Sequence, residues 1–148
     1  MLVPITRLRK DIPLPTYATD GSVAFDLALA DDVTVPAHGT AFGHTGLIVA
    51  TPPGYVFFIA PRSSTFKKKG LRLGNGVGLI DQDFCGPEDE TLLFLWNPGD
   101  NEVILQKGER IAQGMFLPIT RAEWQEGEVI SENSRGKFGH SGGYVEQA

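Results

Sequence analysis

The stretch Gly74–Glu90, which reads GNGVGLIDQDFCGPEDE, organises the interpretation of this 148-residue chain. Gly74-Asn75-Gly76 is a strong turn signal because Gly and Asn tolerate positive φ, and the short apolar run Val77–Ile80 follows it. Extended arms on both sides of the turn predict a β-hairpin with exposed main-chain N–H and C=O groups. Asp81 at the end of the second arm would lie at a fixed distance from the tip, so the hairpin could read a flat polar ligand and act on it with an acid. The simpler interpretation is a surface hairpin with solvated aspartates.

The composition indicates a single all-β domain. Gly (18) and Pro (10) are frequent for this length, and helical periodicity is scarce, which favours short strands joined by tight turns. We predict a jelly-roll-like β-sandwich or barrel of about ten short strands with at most one short helix. This β-domain would span residues 1–130. Residues 131–148 are rich in Ser, Gly and Asn, and we predict a flexible C-terminal tail there.

Alternating or continuous apolar runs bounded by turn residues mark the individual strands. Tyr55–Ala60 is continuously apolar, which predicts a strand buried on both faces, and one or two helical turns are allowed only within Thr65–Lys69. Ala37–Thr40 is predicted to be a turn, and Trp124 and Val129-Ile130 give weak late strand signals. The remaining predicted strands are Val3–Arg9, Ser22–Ala30, Val33–Pro36, Gly46–Ala50, Thr91–Trp96, Glu102–Leu105 and Ile111–Pro118.

Charge and cysteine content exclude several classes of function. The formal net charge of −5 argues against a nucleic-acid partner. The lone Cys85 excludes an intrachain disulfide and a multi-cysteine metal site, and the scattered histidines lack zinc-ligand spacing. The chain has no phosphate loop of the Gly-rich Lys-Ser/Thr type. It also has no secretory signal and no apolar run of membrane-spanning length, so we expect a soluble cytoplasmic protein without membrane contact.

Three polar positions within or directly after apolar strands are candidate functional residues. Arg62-Ser63-Ser64 follows a strand, and an arginine fork with serine hydroxyls at a helix start favours phosphate oxygens, although a solvated strand-end arginine is the simpler interpretation. Asp26 lies inside an apolar strand, where it is either a structural carboxylate or part of a ligand site. Gln113 must find hydrogen-bond partners in the core or face a cavity.

The tail segment Arg135–Gly142 combines cations, an aromatic ring and glycines. Phe138 could stack on a base, Arg135 or Lys137 could hold phosphates, and glycines such as Gly139 allow close approach of the backbone to a ligand. The alternative is a disordered tail without a role.

Five segments, in order along the chain, resemble the five motifs of the trimeric dUTP pyrophosphatases (dUTPases). The resemblance extends from residue 24 to residue 142. The segments are Ala24–Leu27, Pro61–Ser64, Gly74–Phe84, Gly108–Gln113 and Arg135–Gly142. The resemblance to the dUTPases implies a jelly-roll-like fold and a homotrimer with active sites at subunit interfaces. It also implies Mg²⁺-dependent hydrolysis of dUTP to dUMP and pyrophosphate, which keeps uracil out of DNA and supplies dUMP for dTMP synthesis.

The third segment, by this resemblance, carries the base reader and the catalytic acid. Asp81 resembles the carboxylate that activates the attacking water. Asn75 and the backbone after it, including Gly78 and Ile80, resemble the uracil reader, which leaves no room for a thymine methyl group. Phe84 would lie against the deoxyribose, where the family usually has Tyr. The acidic stretch that follows, Gly86–Glu90, is longer than the usual link.

The other segments, by the same resemblance, hold the phosphates and the metal. Arg62, Ser63 and Ser64 resemble the phosphate binders, and Gln113 resembles the glutamine near the phosphates and the water. Asp26 resembles the acid that reaches the hydrated metal, with substrate phosphates as the main ligands. The tail residues Arg135, Lys137, Phe138 and Gly139 would close over the substrate from a neighbouring subunit, with Phe138 over uracil and Arg135 at the terminal phosphate.

Two other functions remain as alternatives. A dCTP deaminase-like enzyme of the same fold needs a glutamate general base near position 94, where this chain has the apolar Phe94. A non-catalytic nucleotide sensor would not require the water-activating acid. The presence of Asp81 in the sequence, together with Arg62 and Gln113, therefore argues against a sensor.

Overall fold

Short antiparallel strands dominate the structure, a computed structural model that describes residues 1–128 and 130–133. Twelve strands and one helix, α1 (Thr65–Lys69), form within these residues. The strands are β1 (Ile5–Arg7), β2 (Thr16–Tyr17), β3 (Phe25–Ala28), β4 (Val33–Val35), β5 (Thr40–His44), β6 (Leu47–Val49), β7 (Tyr55–Pro61), β8 (Arg72–Leu73), β9 (Gly78–Ile80), β10 (Leu92–Trp96), β11 (Val103–Leu105) and β12 (Arg110–Pro118).

The strands assemble into a sandwich around one apolar core. A five-stranded sheet has the order β2-β3-β12-β7-β9, a three-stranded sheet has the order β5-β10-β8, and β1-β6 and β4-β11 form two further pairs. Leu27 and Phe57 from the larger sheet and Leu93 and Leu95 from the smaller one are almost fully buried in the same cluster. This confirms the predicted jelly-roll-like, all-β fold with one short helix.

The strand β7 runs through the larger sheet between β12 and β9. Its Phe57 and Ile59 side chains are buried, whereas Tyr55, Val56 and Phe58 remain partly exposed. The prediction that this strand is buried on both faces is therefore wrong for the single chain. Only one face of the sheet packs on the core. The continuous apolar run therefore also places apolar side chains on the other face, which stays partly exposed in the single chain.

The turn around Asn75 links the two sheets. Arg72-Leu73 (β8) pairs with β10, whereas Gly78–Ile80 (β9) pairs with β7. The predicted β-hairpin, in which the two arms pair with each other, is therefore wrong. The turn itself forms as expected. Gly76 has a φ of 75°, and its N–H donates to the Leu73 carbonyl at 3.0 Å. The backbone of Asn75 therefore lies on a tight connection that crosses from one sheet to the other.

Two further predictions about the elements differ from the structure. Thr40–His44 forms the strand β5, where only a turn was expected at Ala37–Thr40; the turn is confined to the residues before it, with His38 at a φ of 54°. Trp124 is in no strand and is 93% exposed, and Val129 lies outside the described residues. No helix in the described ranges is long and apolar enough to cross a membrane.

Candidate active site

A carboxylate flanked by two arginines lies at one end of the larger sheet. Asp26 of β3 stands opposite Gln113 of β12, and Arg62 directly follows β7, so antiparallel pairing brings the three positions together. Arg62 Nε lies 2.7 Å from Asp26 Oδ1, and Arg110 Nη1 lies 3.0 Å from Asp26 Oδ2. We call Asp26, Arg62, Arg110 and Gln113 the strand-end cluster.

The charges of the strand-end cluster favour an anionic ligand. The Asp26 side chain is only 10% exposed, and a carboxylate removed from water requires charged partners, which the two guanidinium groups provide. Two arginines against one carboxylate leave net positive charge. Arg110 is 54% exposed and Arg62 is 29% exposed, so both retain donors toward solvent. Asp26 therefore pairs with both guanidinium groups and fixes their orientation, which is a structural role, and its role in a ligand site stays a prediction.

The helix α1 extends the basic surface beside the cluster. Ser64 is its N-cap residue and is partly buried, Ser63 is exposed, and the Thr65 hydroxyl donates to the Ile111 carbonyl at 2.7 Å, which ties the helix start to β12. Arg62 and Ser64 line a cavity of about 300 Å³, together with Lys68, Lys69 and Arg110. The cavity is therefore lined by several donors suited to phosphate oxygens.

An acid in the same cavity is neutralised by a lysine. Glu109 Oε2 lies 2.5 Å from Lys69 Nζ. Burial raises the pKa of Glu109, but hydrogen bonds from Lys69 and the Gln106 N–H and the charge of Lys69 lower it by more, so the net pKa lies below its ordinary value. Glu109 therefore stays ionised and offsets Lys69 alone, which leaves Arg62, Arg110 and Lys68 to dominate the local charge.

Gln113 bridges two strands at the edge of the cluster. Its Nε2 donates to the Pro61 carbonyl at 3.1 Å, directly before Arg62. The side chain is partly exposed, so it is both hydrogen-bonded and accessible. Gln113 thereby fixes the chain that carries Arg62 and remains within reach of a ligand held there.

The residues of the third segment form a separate group. Asp81 follows β9, is exposed, and lines a cavity of about 780 Å³ with Tyr55, Val56 and Arg121. Gln82 Nε2 donates to the Tyr55 carbonyl at 3.1 Å and fixes the loop in which Asp81 lies. Phe84 is partly exposed two residues beyond Gln82. Asn75 is exposed on the turn, while Gly78 and Ile80 are partly buried in β9; these three line a smaller cavity of about 90 Å³.

Strand register separates Asp81 from the strand-end cluster within one chain. Ile80 pairs with Phe57 near the beginning of β7, whereas Arg62 follows the end of the same strand. The five residues from Phe57 to Arg62 correspond to about 17 Å at the rise of an extended strand. Asp81, which follows Ile80, and Arg62 therefore lie toward opposite ends of β7 in one chain.

The acidic stretch after Asp83 has a structural role. Glu90 accepts a hydrogen bond from the Gly46 N–H at 2.7 Å through Oε1, and its Oε2 lies 2.8 Å from His44 Nδ1. Asp89 accepts from the Gly86 N–H at 2.7 Å. These two carboxylates therefore order the β9–β10 connection and the start of β6.

The structure adds one residue, Arg110, to the candidate site, and four of the predicted site residues lie outside the residues that it describes. Arg110 lies in the fourth segment, but the sequence interpretation gave it no role; an arginine at the first position of a strand, directly after a turn glycine and an acid, was the available signal. The predicted tail residues Arg135, Lys137, Phe138 and Gly139 lie outside the described residues. Within residues 1–128 and 130–133, no group of three or more His, Cys, Asp or Glu side chains could hold a metal ion.

Fold and site together define a class: an all-β protein with an arginine-rich cluster at its strand ends and an exposed turn between its two sheets. Comparisons with known proteins narrow the class. The family model described as dUTPase matches residues 10–142. The deoxyuridine 5′-triphosphate nucleotidohydrolase of Shigella flexneri serotype 5b is 43% identical over 141 residues, which cover 92% of this chain and 91% of that protein. The corresponding protein of Alcanivorax borkumensis is 42% identical over 142 residues, 93% of each chain.

Solved structures agree with this narrower class. The crystal structure of the dUTPase from Streptococcus mutans superposes with a TM-score of 0.74 at 31% identity, covering 81% of this chain and 98% of that one. A variant of the Staphylococcus bacteriophage 80alpha dUTPase gives a TM-score of 0.81 at 24% identity over 95% of this chain and 98% of that one, which supports the fold alone. The chain belongs to the dUTPase family.

Proposed function

We propose that this protein hydrolyses dUTP to dUMP and pyrophosphate in active sites that combine the two half-sites of different subunits. The observation that carries the proposal is the separation of the strand-end cluster from Asp81. Asp81 follows Ile80, which pairs with Phe57, and Phe57 and Arg62 are about 17 Å apart along β7. Both groups are formed in one chain, yet neither contains a complete set of phosphate binders, base reader and general base.

The strand-end cluster supplies the phosphate half of the site. Arg62 and Arg110, held by Asp26, together with Ser63 and Ser64 at the start of α1, bind the triphosphate. The positive charge of the cavity concentrates a polyanionic substrate at the surface of an acidic protein. Gln113 orients the phosphate and the attacking water from the adjacent position on β12.

The third segment supplies the base and the water half. The backbone of the turn around Asn75 and of Gly78 and Ile80 reads the pyrimidine edge, and Phe84 packs against the deoxyribose. Asp81 accepts a proton from a water molecule, whose oxygen bonds to the α-phosphorus while the bond from that phosphorus to the oxygen bridging to the β-phosphate breaks, so pyrophosphate leaves and dUMP is formed. The exposure of Asp81 is consistent with a carboxylate that works on a bound water.

The oxygen donors of the strand-end cluster would suit Mg²⁺ if the substrate phosphates supplied most of its ligands. Asp26 already contacts an arginine with each oxygen, and the described residues hold no group of three protein donors for a metal. Mg²⁺ prefers oxygen ligands and retains several waters, so phosphate oxygens can form its shell while Asp26 reaches it through water. When bound, the ion polarises the phosphates and neutralises their charge.

A homotrimer would join the two half-sites. The outer face of the β5-β10-β8 sheet supports assembly, because Phe42 and Trp96 are exposed on it and an exposed apolar patch often marks an interface. In this assembly the tail residues Arg135, Lys137, Phe138 and Gly139 of a further subunit cover the substrate, which excludes bulk water from the site.

The substrate assay tests the proposed reaction. Purified protein with Mg²⁺ is supplied in turn with dUTP, dTTP, dCTP and UTP, and pyrophosphate and ammonia are measured. We expect pyrophosphate release from dUTP to be faster than from the other three by a factor of about 10² or more, since a site built to hydrogen-bond one base edge rejects others strongly. Equal rates on all four nucleotides would contradict the proposal. Release of ammonia from dCTP would favour the deaminase alternative, although Phe94 provides no group to move a proton.

A further inference from the structure

The two glycines of the sheet-crossing turn are small for different reasons. Gly76 has a φ of 75°, and a Cβ added there would meet nothing within 4 Å. Gly74 does not have a left-handed backbone, but a Cβ added to it would lie 2.6 Å from both Cδ1 and Cε1 of Phe94. Gly76 is therefore required by backbone conformation, whereas Gly74 is required by the position of the Phe94 ring.

Phe94 is fixed from two sides. Its carbonyl accepts a hydrogen bond from the Gly74 N–H at 2.8 Å, so the turn is joined to β10 at this residue. Its ring lies against Phe42 of β5, with 5.0 Å between ring centroids and 33° between ring planes. The partly exposed ring is thus in contact with a neighbouring strand on one side and with the turn on the other, so a shift of the ring toward the turn would displace the turn.

The same ring borders the small cavity next to the base reader. Phe94 lines the cavity of about 90 Å³ together with Asn75, Gly78 and Ile80. Three of these positions are the proposed readers of uracil, and Phe94 adds an apolar wall that offers neither donor nor acceptor. Phe94 is therefore one of the residues that bound this cavity.

We propose that Phe94 is a positioning and specificity-determining residue of the base pocket, which holds the Gly74-Asn75 backbone in place and limits the size of the base that fits. This inference rests on the proposed function, because it assumes that the turn reads uracil. A base with a methyl group at C5 is then rejected through the fixed turn as well as through direct contact, and loss of the ring relaxes the rejection.

The experiment compares Gly74→Ala, Phe94→Ala and the double variant, with Gly76→Ala as the matched control. Steady-state kinetics with dUTP and dTTP are measured alongside thermal unfolding and oligomeric state. Gly74→Ala is expected to raise KM for dUTP about tenfold, because the new methyl group overpacks against the ring and shifts the turn. Adding Phe94→Ala to Gly74→Ala removes this overpacking and brings KM back to that of Phe94→Ala alone. In a second double variant, Gly76→Ala with Phe94→Ala, the impairment caused by Gly76→Ala persists, because the strain at Gly76 comes from its positive φ.

Selectivity provides the measurement that a purely structural role would not change. Phe94→Ala is expected to reduce the ratio of kcat/KM for dUTP over dTTP about tenfold, because the pocket wall is removed. If Phe94→Ala fails to assemble, Phe94→Leu is used, and a smaller reduction in the same direction is expected.

Three results would overturn the role of Phe94: an unchanged KM in Gly74→Ala, a double variant as impaired as Gly74→Ala, or an unchanged dUTP/dTTP ratio in the Phe94 variants. A wild-type protein that releases no pyrophosphate from dUTP would instead contradict the proposed function. An active wild type with unaffected variants would contradict only the inference about Phe94.

Discussion

Asp26 illustrates what one residue contributes, because its two carboxylate oxygens hold the two arginines of the strand-end cluster. Asp26→Asn removes the charge and leaves one acceptor oxygen for two guanidinium groups. We expect a destabilisation of about 1–3 kcal/mol, since the nearly buried Asp26 loses the charge that pairs it with both arginines. We also expect a rise in KM for dUTP, because Arg62 and Arg110 lose their fixed orientation.

Asp31→Asn is the matched control for Asp26→Asn. Asp31 also pairs with an arginine, since its Oδ2 lies 2.9 Å from Arg9 Nη1, but its side chain is 54% exposed. This pair is bidentate, with Arg9 Nη2 also 2.9 Å from Asp31 Oδ1, but its exposure to solvent makes its contribution to stability smaller than that of a nearly buried pair. Chemical unfolding and steady-state kinetics of both variants decide the matter: equal effects on stability and KM would remove the special role of Asp26.

Glu109 gives a prediction about pH. Its folded-state pKa is lowered below the ordinary value, so its pairing with Lys69 stabilises the protein above the unfolded-state pKa and is lost as pH falls through the folded-state pKa. Glu109→Gln should therefore lower the thermal midpoint at pH 7, and the difference from wild type should shrink once the pH falls below the ordinary carboxylate range. Thermal unfolding of both proteins at stepwise lower pH tests this. A difference that persists or grows in acid would contradict it.

The same residues show how far sequence reasoning extends. Asp26 is conspicuous as an acid in an apolar strand, so its importance could be predicted from the sequence alone. Its partners could not, because Arg110 is 84 positions away and contacts Asp26 only through the register of β3 and β12. Pairing register depends on packing of the whole sheet, which the local pattern does not contain.

The strand β5 shows the corresponding limit for an element. Its residues after Thr40 were assigned to no predicted strand, but a Cβ at Gly43 would lie 2.5 Å from Leu29 Cδ2, so the strand needs glycine at a core-facing position. The outward residues Thr40, Phe42 and His44 complete the alternation. Because the reason for the glycine is a neighbouring side chain, a single-sequence pattern does not reveal it. Strands whose core positions carry Leu or Ile, such as β10, were predicted correctly.

The anchoring of α1 gives a prediction for an element. The buried Thr65 hydroxyl donates to the Ile111 carbonyl and holds the helix start beside Arg62. Thr65→Val preserves the shape but removes the hydrogen bond, which should cost about 1 kcal/mol of stability and lower kcat/KM severalfold through displacement of Ser63 and Ser64.

Thr45→Val is the control for Thr65→Val. The Thr45 hydroxyl is also buried and donates to a carbonyl, that of Thr91, at 2.6 Å, but it lies in the connection between β5 and β6. Because the Thr45 hydroxyl also accepts a hydrogen bond from the Leu47 N–H at 3.2 Å, Thr45→Val should lose at least as much stability in thermal unfolding as Thr65→Val, while only Thr65→Val changes the kinetics with dUTP. If Thr45→Val lowers kcat/KM equally, the kinetic effect of Thr65→Val reflects stability rather than the position of α1.

For the whole molecule, the sequence predicts the set of site residues but not their division between half-sites. The five ordered segments predict which residues belong to the site, and the jelly-roll-like fold is confirmed. The separation of Asp81 from Arg62 follows only from the antiparallel register of β9 with β7. Arg62 and Asp81 thus lie toward opposite ends of β7, and the order of the motifs along the chain does not predict this separation.

This division leads to a complementation experiment on the assembled protein. Asp81→Asn removes the general base, and Arg62→Ala removes a phosphate binder, so each variant alone should be nearly inactive. In mixed oligomers, the intact Asp81 of one subunit can meet the intact Arg62 of its neighbour. In any cyclic trimer that contains both chains, one of the three sites then combines both wild-type residues, so about one third of the wild-type activity per oligomer should return. The chains are co-expressed with two different affinity tags, and doubly tagged oligomers are isolated and assayed with dUTP. Mixing of the two variants after separate folding, without subunit exchange, serves as the control. If each active site were built within a single chain, the mixed oligomers would remain as inactive as their parents, because no site could combine the two intact residues.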